Sequence, residues 1–268
     1  MRNFLLIANN QKPDAMQLAT QVKEYLTSRG CICTENVTKD TSCVLVFGGD
    51  GTLLQAARDY REHELPFLGI NMGSLGYLAE VDKDDVYDAL ELVITDTATS
   101  EHRMMLQGKV TRGDKILYED IALNDIAIAS RGLTVLHFKV YVNGRYLTTY
   151  QGDGMVVSTP TGSTAYSLSA GGPVVNPQAS LLVLTPVSPH TLFSRSIVLE
   201  ADSLVELEIL SHPSRKDGEC IVGFDGNQVM LLEPGDRVSI SKSSLTTNII
   251  KYNQLSFLET LRKKMGDR

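Results

Sequence analysis

The sequence predicts an α/β N-terminal domain followed by an all-β, sandwich-like C-terminal domain. Three observations predict it. Over residues 1–100, short apolar runs alternate with segments of helical spacing, the pattern of a parallel sheet covered by helices. Beyond about residue 100, strand-like runs dominate. The glycine-rich stretch FGGDGT (Phe47–Thr52) follows the apolar run CVLVF, which sets a flexible turn at the end of a strand. The expected division is 1–100, an α/β domain with the GGDG loop, and 101–240, a β-rich domain, with 241–268 returning to pack on the first.

Taken in order, Phe4–Ala8 reads as a buried strand. Pro13 suits a first helical turn. Ala15, Leu18, Ala19, Val22, Tyr25 and Leu26 continue at helical spacing, and Gly30 is a stop. Val44–Phe47 is the second strand, followed by the glycine turn and a helix through Leu53, Leu54, Ala56 and Ala57. Phe67–Ile70 is a strand, and Val86, Ala89, Leu90 and Val93 mark another helix. Strands then follow at Leu106–Val110, Ile121–Ala129, Phe138–Val142, Tyr146–Tyr150, Met155–Ser158, Leu181–Leu184, Val205–Leu210, Ile221–Phe224 and Val229–Leu232. Asn143-Gly144 is a hairpin signal. Residues 163–170 and 253–264 have helical character.

Composition narrows the function. The 268 residues are 43% hydrophobic, enough for packed cores, and carry a net charge of −7. That charge disfavours broad binding to nucleic acid or to an anionic membrane, while leaving room for a local phosphate site. No apolar run reaches the length of a membrane span. The N-terminal MRNFLLIANNQKPD has too short an apolar stretch for a signal peptide. Cys31, Cys33, Cys43 and Cys220 form no CxxC pair, so reduced thiols in a cytoplasmic protein are expected rather than a zinc site.

Four stretches carry the candidate chemistry, and each has a plain structural alternative. In FGGDGT, Gly48, Gly49, Gly51 and Thr52 would let backbone amides approach phosphate oxygens at a helix start. Asp50 among them repels phosphate, and makes sense if it meets a hydroxyl or a metal beside the phosphates. A tight turn is the alternative. In LGINMGSLGYLAEV (Leu68–Val81), Gly73 and Gly76 loosen either a second ligand loop or an ordinary βα connection. In ALNDIAIAS (Ala122–Ser130), Asn124 and Asp125 interrupt an apolar strand, which demands a ligand, a bulge or a turn. The densest stretch is GDGMVVSTPTGSTAYSLSAGGPVV (Gly152–Val175), where small hydroxylated residues around Tyr166 suit a planar ligand or a surface loop. Asp225 and Asn227 read first as a hairpin turn, and His190 as structural.

Together, GGDGTLLQAAR, GINMGSLGYL, LNDIAI, DGMVVSTPTGSTAYSLSAGGP, TPVSPHTL and FDGN resemble the NAD kinase family, enzymes that phosphorylate NAD to NADP. GGDG alone is shared with lipid kinases and phosphofructokinase-like enzymes; the Gly-Ser-Thr-Ala-Tyr-Ser block is far more specific. The resemblance covers nearly the whole chain. It implies an NAD site between the two domains, ATP or a related donor such as polyphosphate, Mg2+ or another divalent metal, and a homodimer or homotetramer. It implies Asp50 as the catalytic aspartate. It implies NAD contacts from Asp50, Gly51, Tyr77, Asn124, Asp125, Gln151, Asp153, Thr164, Ala165, Tyr166, Ser167, Leu168, Ser169, Ser188 and Asn227. No residue is marked as a metal ligand. Three positions depart from the family. Asp125 stands for the usual Glu, Gln151 stands where relatives often carry a basic residue, and Asn227 stands for a frequent Gln. A lipid kinase sharing GGDG and a non-catalytic NAD-binding regulator are the rival readings.

Overall fold

The computed structural model describes residues 2–73, 76–132, 134–191, 194–211, 220–252, 257–264 and 266. The chain forms two compact units. Residues 1–103 and 246–268 make unit 1, and residues 104–245 make unit 2.

In unit 1, β1 (Asn3–Ala8), β2 (Ile32–Thr34), β3 (Thr41–Gly48) and β4 (Pro66–Asn71) form a parallel sheet in the order β2-β1-β3-β4. The helices α1 (Pro13–Ser28), α2 (Asp50–Asp59) and α3 (Val86–Ile94) alternate with them. Pro13 opens α1, and Ala15, Val22 and Leu26 are its buried stripe. The helix ends because Gly30 adopts φ +76°, and the Cys31 amide then bonds back to the Leu26 carbonyl. Phe4, Leu45, Phe47, Leu68 and Ile70 are fully buried on the sheet. Each such side chain contributes about 1.5–3 kcal/mol on burial.

The two passages between units lie inside strands. β5 (Thr99–Arg112) carries the chain into unit 2. There it forms a hairpin with β6 (Lys115–Ala122), then come β7 (Asp125–Ser130), β8 (Leu136–Val142), β9 (Arg145–Gly152) and β10 (Gly154–Ser158). A 3-10 turn, Thr161–Thr164, and the single turn α4 (Tyr166–Ser169) follow. The remaining strands are β11 (Leu181–Val187), β12 (Ile197–Glu200), β13 (Val205–Ile209), β14 (Cys220–Phe224), β15 (Asn227–Leu232) and β16 (Asp236–Lys251). One antiparallel sheet runs β12-β11-β10-β7-β14-β15. In the other, β16, β13, β8 and β9 pair antiparallel. Side chains of both sheets, among them Ile126, Phe138, Met155, Leu184, Val205 and Phe224, share one core. Asn143 (φ +52°) and Gly144 (φ +73°) turn the β8–β9 hairpin as their dipeptide predicts. The end of β16 enters unit 1, where Asn248 and Ile249 pair parallel to β4, and α5 (Phe257–Lys264) follows.

Several expectations are corrected. The strand expected over Ile121–Ala129 is two strands in different sheets, broken at Leu123–Asn124. The helical stretch expected at 163–170 is present as two short pieces, the 3-10 turn Thr161–Thr164 and α4, separated at Ala165. Strand β5 begins at Thr99, well before Leu106, and β2, β12 and β16 had no counterpart in the sequence reading. The expected helix over 253–264 is described from Phe257, its first four residues lying outside the described set. No described helix is long and apolar enough to cross a membrane.

Candidate active site

In unit 1 the candidate residues gather at the C-terminal ends of the parallel strands, where open α/β sheets bind ligands. β3 ends at Gly48 and α2 begins at Asp50, with Gly49 as an extended N-cap. The Asp50 carboxylate accepts three backbone amides and keeps one acceptor site on Oδ2. Oδ2 accepts the Tyr77 amide at 2.7 Å, and Oδ1 accepts the amides of Leu78 and Ala79, both at 3.0 Å. The aspartate thus joins the loop after β3 to the loop after β4. Gly76 permits the approach, since a Cβ there would lie 2.0 Å from Asp50 Oδ1. Gly48 is equally confined, with Thr52 Oγ1 2.3 Å from where its Cβ would stand. Asn9 Nδ2 donates to Thr52 Oγ1 at 3.3 Å, and Lys12 Nζ donates to the Met72 carbonyl at 3.1 Å. Burial, and then the charge of Asp50, push the Tyr77 phenol above its ordinary range. Three backbone amides thus give Asp50 a structural role as well.

In unit 2 the candidates cluster where the chain changes sheets. Leu123–Asn124 carries it from β6 to β7, and Asp153 carries it from β9 to β10. The first corner is held by Asp225. Its Oδ2 accepts the Leu123 amide at 2.9 Å, and its Oδ1 accepts those of Asn124 at 2.7 Å and Asp125 at 3.2 Å. Asp225 (φ +49°) and Gly226 (φ +76°) also turn the β14–β15 hairpin, so the turn read from FDGN does a second task. Asp125 itself is only 4% exposed. Burial, and then Asp225 nearby, raise its carboxyl to about 7. Directly across the ladder is Ser158, whose buried hydroxyl has no hydrogen-bond partner among the described residues.

The Ser/Thr-rich block packs on the same corner. Thr159 donates its hydroxyl to the Leu123 carbonyl at 2.6 Å and its amide to the Asn124 carbonyl at 2.9 Å. Gly162 lies so close that a Cβ would stand 2.0 Å from the Asn124 oxygen. Thr164 and Ala165 are partly exposed, and Tyr166, Leu168 and Ser169 are exposed. Ser167 is buried and its hydroxyl bonds with that of Thr185 at 3.0 Å. Tyr166 is 39% exposed; partial burial, then Asp125 and Asp153, raise its phenol. Tyr166 therefore feels both corners, although Asp125 pairs with Ser158 at one end of the β7–β10 ladder and Asp153 lies at the other. Those ends are roughly 15 Å apart at ordinary strand rise. Exposed Gln151 and Ser188 (φ +44°) flank the Asp153 corner, where the Gln151 carbonyl accepts the His190 amide at 2.7 Å. Asn227 is exposed at the start of β15.

The two clusters lie in different units. Sequence reasoning passed over Lys12, Thr159, Gly162 and the capping role of Asp225. Thr159, Gly162 and Asp225 lay inside quoted motifs, and none of them carried a signal for a partner so distant in sequence.

A family model described as the ATP-NAD kinase N-terminal domain matches residues 33–98, and one described as the ATP-NAD kinase C-terminal domain matches residues 123–252. An NAD kinase of Agathobacter rectalis is 42% identical over 284 residues, covering 100% of this chain and 99% of that protein. The chain belongs to the NAD kinase family. Another family member, an NAD kinase of Lachnospira eligens, is 38% identical over 99% of this chain and 100% of that protein. Two solved structures share the NAD kinase fold. Yeast NADH kinase complexed with NADH superposes with a TM-score of 0.91 at 20% identity, over 100% of this chain and 88% of that one. An NAD kinase from Archaeoglobus fulgidus in complex with ATP gives 0.76 at 23% identity, over 99% and 98%. The NAD kinase models take in both clusters: Asp50 with its loop partners in the first, Asn124 through Asn227 in the second. Helix α5 lies outside both matched spans.

Proposed function

We propose that this chain transfers the γ-phosphoryl group of ATP to the 2′-hydroxyl of the adenosine ribose of NAD, giving NADP and ADP. The family makes it an NAD kinase; the roles of its residues are our reading. The observation that carries them is Asp50, a carboxylate fixed by three amides at the mouth of a glycine turn. A group so held loses no freedom on meeting its substrate, and positioning supplies most of the catalysis in phosphoryl transfer.

In this reading the remaining acceptor capacity of Asp50 Oδ2 receives the hydroxyl hydrogen. The ribose oxygen attacks the γ-phosphorus, the bond to the β–γ bridging oxygen breaks, and the proton passes to the carboxylate as the new bond forms. Gly48, Gly49, Gly51 and Thr52 present amides and a hydroxyl to the donor phosphates at the start of α2. Asp50, Gly51, Tyr77, Asn124, Asp125, Gln151, Asp153, Thr164–Ser169, Ser188 and Asn227 hold NAD. Two corners roughly 15 Å apart along the β7–β10 ladder suit an elongated dinucleotide. Mg2+ would supply charge neutralisation on the donor. Among the described residues no cluster of three His, Cys, Asp or Glu side chains could cage it, so the metal would arrive on the phosphates, as Mg2+ commonly does.

We further propose a cytoplasmic homodimer or homotetramer; the four unpaired cysteines suit a reducing compartment. The decisive experiment supplies NAD, ATP and Mg2+ and follows NADP. Formation of NADP supports the reading. Phosphorylation of diacylglycerol or a sphingoid base, with none of NAD, overturns it. Sedimentation tests the assembly, and a monomer of 29.4 kDa under assay conditions removes the oligomer from the proposal.

A further inference from the structure

Helix α5 is short and carries no buried residue, with Arg262, Lys263 and Lys264 in its last turn. Basic residues at a helix C-terminus are ordinary complements to the helix dipole. The dipole does not account for where Lys264 goes. Its Nζ sits over the ring of Tyr77, 3.7 Å from the centroid. Tyr77 is the residue whose amide holds Asp50 Oδ2 at 2.7 Å. The last residue of α5 is thereby set on the loop that fixes the aspartate.

The electrostatics agree with that placement. Burial lowers the Lys264 amine, and the charge of Asp50 partly offsets this, so the two groups feel each other. Among the described residues Lys264 makes no ion pair, and a ring occupies one face of its ammonium and leaves the other N–H groups unclaimed. Lys12, also at this edge, gives one N–H to the Met72 carbonyl, and Lys251 pairs with Glu80. Asp50 brings a negative charge to the place where a polyphosphate must lie, so the edge needs cations to offset it, and Lys264 brings one beside the Asp50 loop.

We propose that Lys264 belongs to the donor subsite, where it offers its ammonium to the polyphosphate of ATP beside the Asp50 loop, with the Tyr77 ring as its rest. This rests on the reading of the chain as an ATP-using NAD kinase. It adds a residue from a helix that lies outside the spans matched by the family models. The ammonium counters Asp50 as the donor binds and faces the negative charge that spreads over the transferred phosphoryl oxygens.

The test uses the full chain, with Lys264→Met, which keeps an unbranched apolar stem without the charge, and Lys264→Arg, which restores it. Calorimetry with inorganic tripolyphosphate measures the subsite without turnover. We expect Lys264→Met to weaken tripolyphosphate binding and raise the KM for ATP by about tenfold each, with the KM for NAD within about twofold. Lys264→Arg should recover most of both. A purely structural α5 would not move tripolyphosphate affinity with ATP KM while sparing NAD. Equal tripolyphosphate affinity in wild type and Lys264→Met overturns the inference. If Lys264→Met disturbs the helix, Tyr77→Leu removes the rest and keeps the charge; it too should weaken tripolyphosphate binding, and an unchanged affinity there counts equally against the proposal. A wild-type protein that binds tripolyphosphate through Lys264 yet forms no NADP retains the subsite and overturns the kinase reading instead.

Discussion

At the scale of single residues, two aspartates behave in opposite ways. Asp50 has three amide donors. Asp125 is buried beside Asp225, and Asp225 takes the local amides for itself. Replacing Asp50 with Asn therefore touches both chemistry and structure, because one of its two side-chain atoms becomes a donor facing a donor. Asp50→Asn should lower turnover at least about 100-fold, the lower range for general acid–base catalysis. It should also cost about 1–3 kcal/mol in denaturant unfolding, the expense of an unmatched amide. A variant near the wild-type rate removes Asp50 from the mechanism.

Asp125 carries a stability that depends on pH, with a definite sign. Its folded-state value is raised to about 7 from an ordinary 3.8, so between those values the folded state holds a proton that the unfolded chain has released. Stability from this group is full at low pH and falls as pH rises toward 7. Asp125→Asn removes the penalty. The apo variant should melt above the wild type at pH 8 and close to it at pH 4, while NAD binds more weakly. Equal melting differences at both pH values would show that the carboxylate is solvated instead. The usual family Glu is one methylene longer, and the residue opposite Asp125 in the ladder is Ser158, whose buried hydroxyl has no partner among the described residues.

At the scale of elements, the corner at Leu123–Asn124 depends on a hairpin about a hundred residues later in the chain. Asp225→Ala deprives three amides of their acceptor and puts alanine at φ +49°. We expect a loss of about 3 kcal/mol or more in urea unfolding, with Asp225→Asn intermediate because asparagine tolerates the left-handed region. A loss below about 0.5 kcal/mol, the range of ordinary surface substitutions, would mean that water replaces the carboxylate. This dependence explains why the corner was not legible. The apolar residues on both sides of Asn124 alternate as one strand would, and only a distant aspartate interrupts them. α1 was legible because its signals are local: a proline start, buried residues at helical spacing and a glycine stop. β16 was hidden for the reverse reason. Its buried positions include Asp236, Ser243 and Thr247 beside Val238, Ile240 and Ile249, so polar residues occupy inward slots and blur the period of two. Asp236 is buried because Arg112 pairs with it at 2.7 Å, again a partner far away in sequence. In the candidate site, residue types were visible from glycine and hydroxyl density, but not what Asp50, Ser167 and Asp225 bind.

At the scale of the whole molecule, a chain of net charge −7 must bind two anionic substrates. Long-range attraction cannot do this, so affinity has to come from local amides, dipoles and cations at defined segments. Binding should then stabilise the molecule segment by segment and not uniformly. At a hundredfold excess over its dissociation constant a ligand contributes about 2.7 kcal/mol to the state that binds it. Hydrogen exchange reports where that contribution falls. Tripolyphosphate should slow exchange at the Gly48–Thr52 turn and at Tyr77–Ala79, whose amides already rest on Asp50. NAD should slow exchange at Leu123–Asp125 and across the Thr161–Ser169 block, which is bonded to that corner through Thr159. The two ligands thus leave different footprints, and a footprint does not require turnover. If NAD leaves Leu123–Asp125 and Thr161–Ser169 exchanging as in the apo protein, the acceptor block is not where NAD binds. If tripolyphosphate protects those segments and spares Gly48–Thr52, the donor loop has been assigned to the wrong unit.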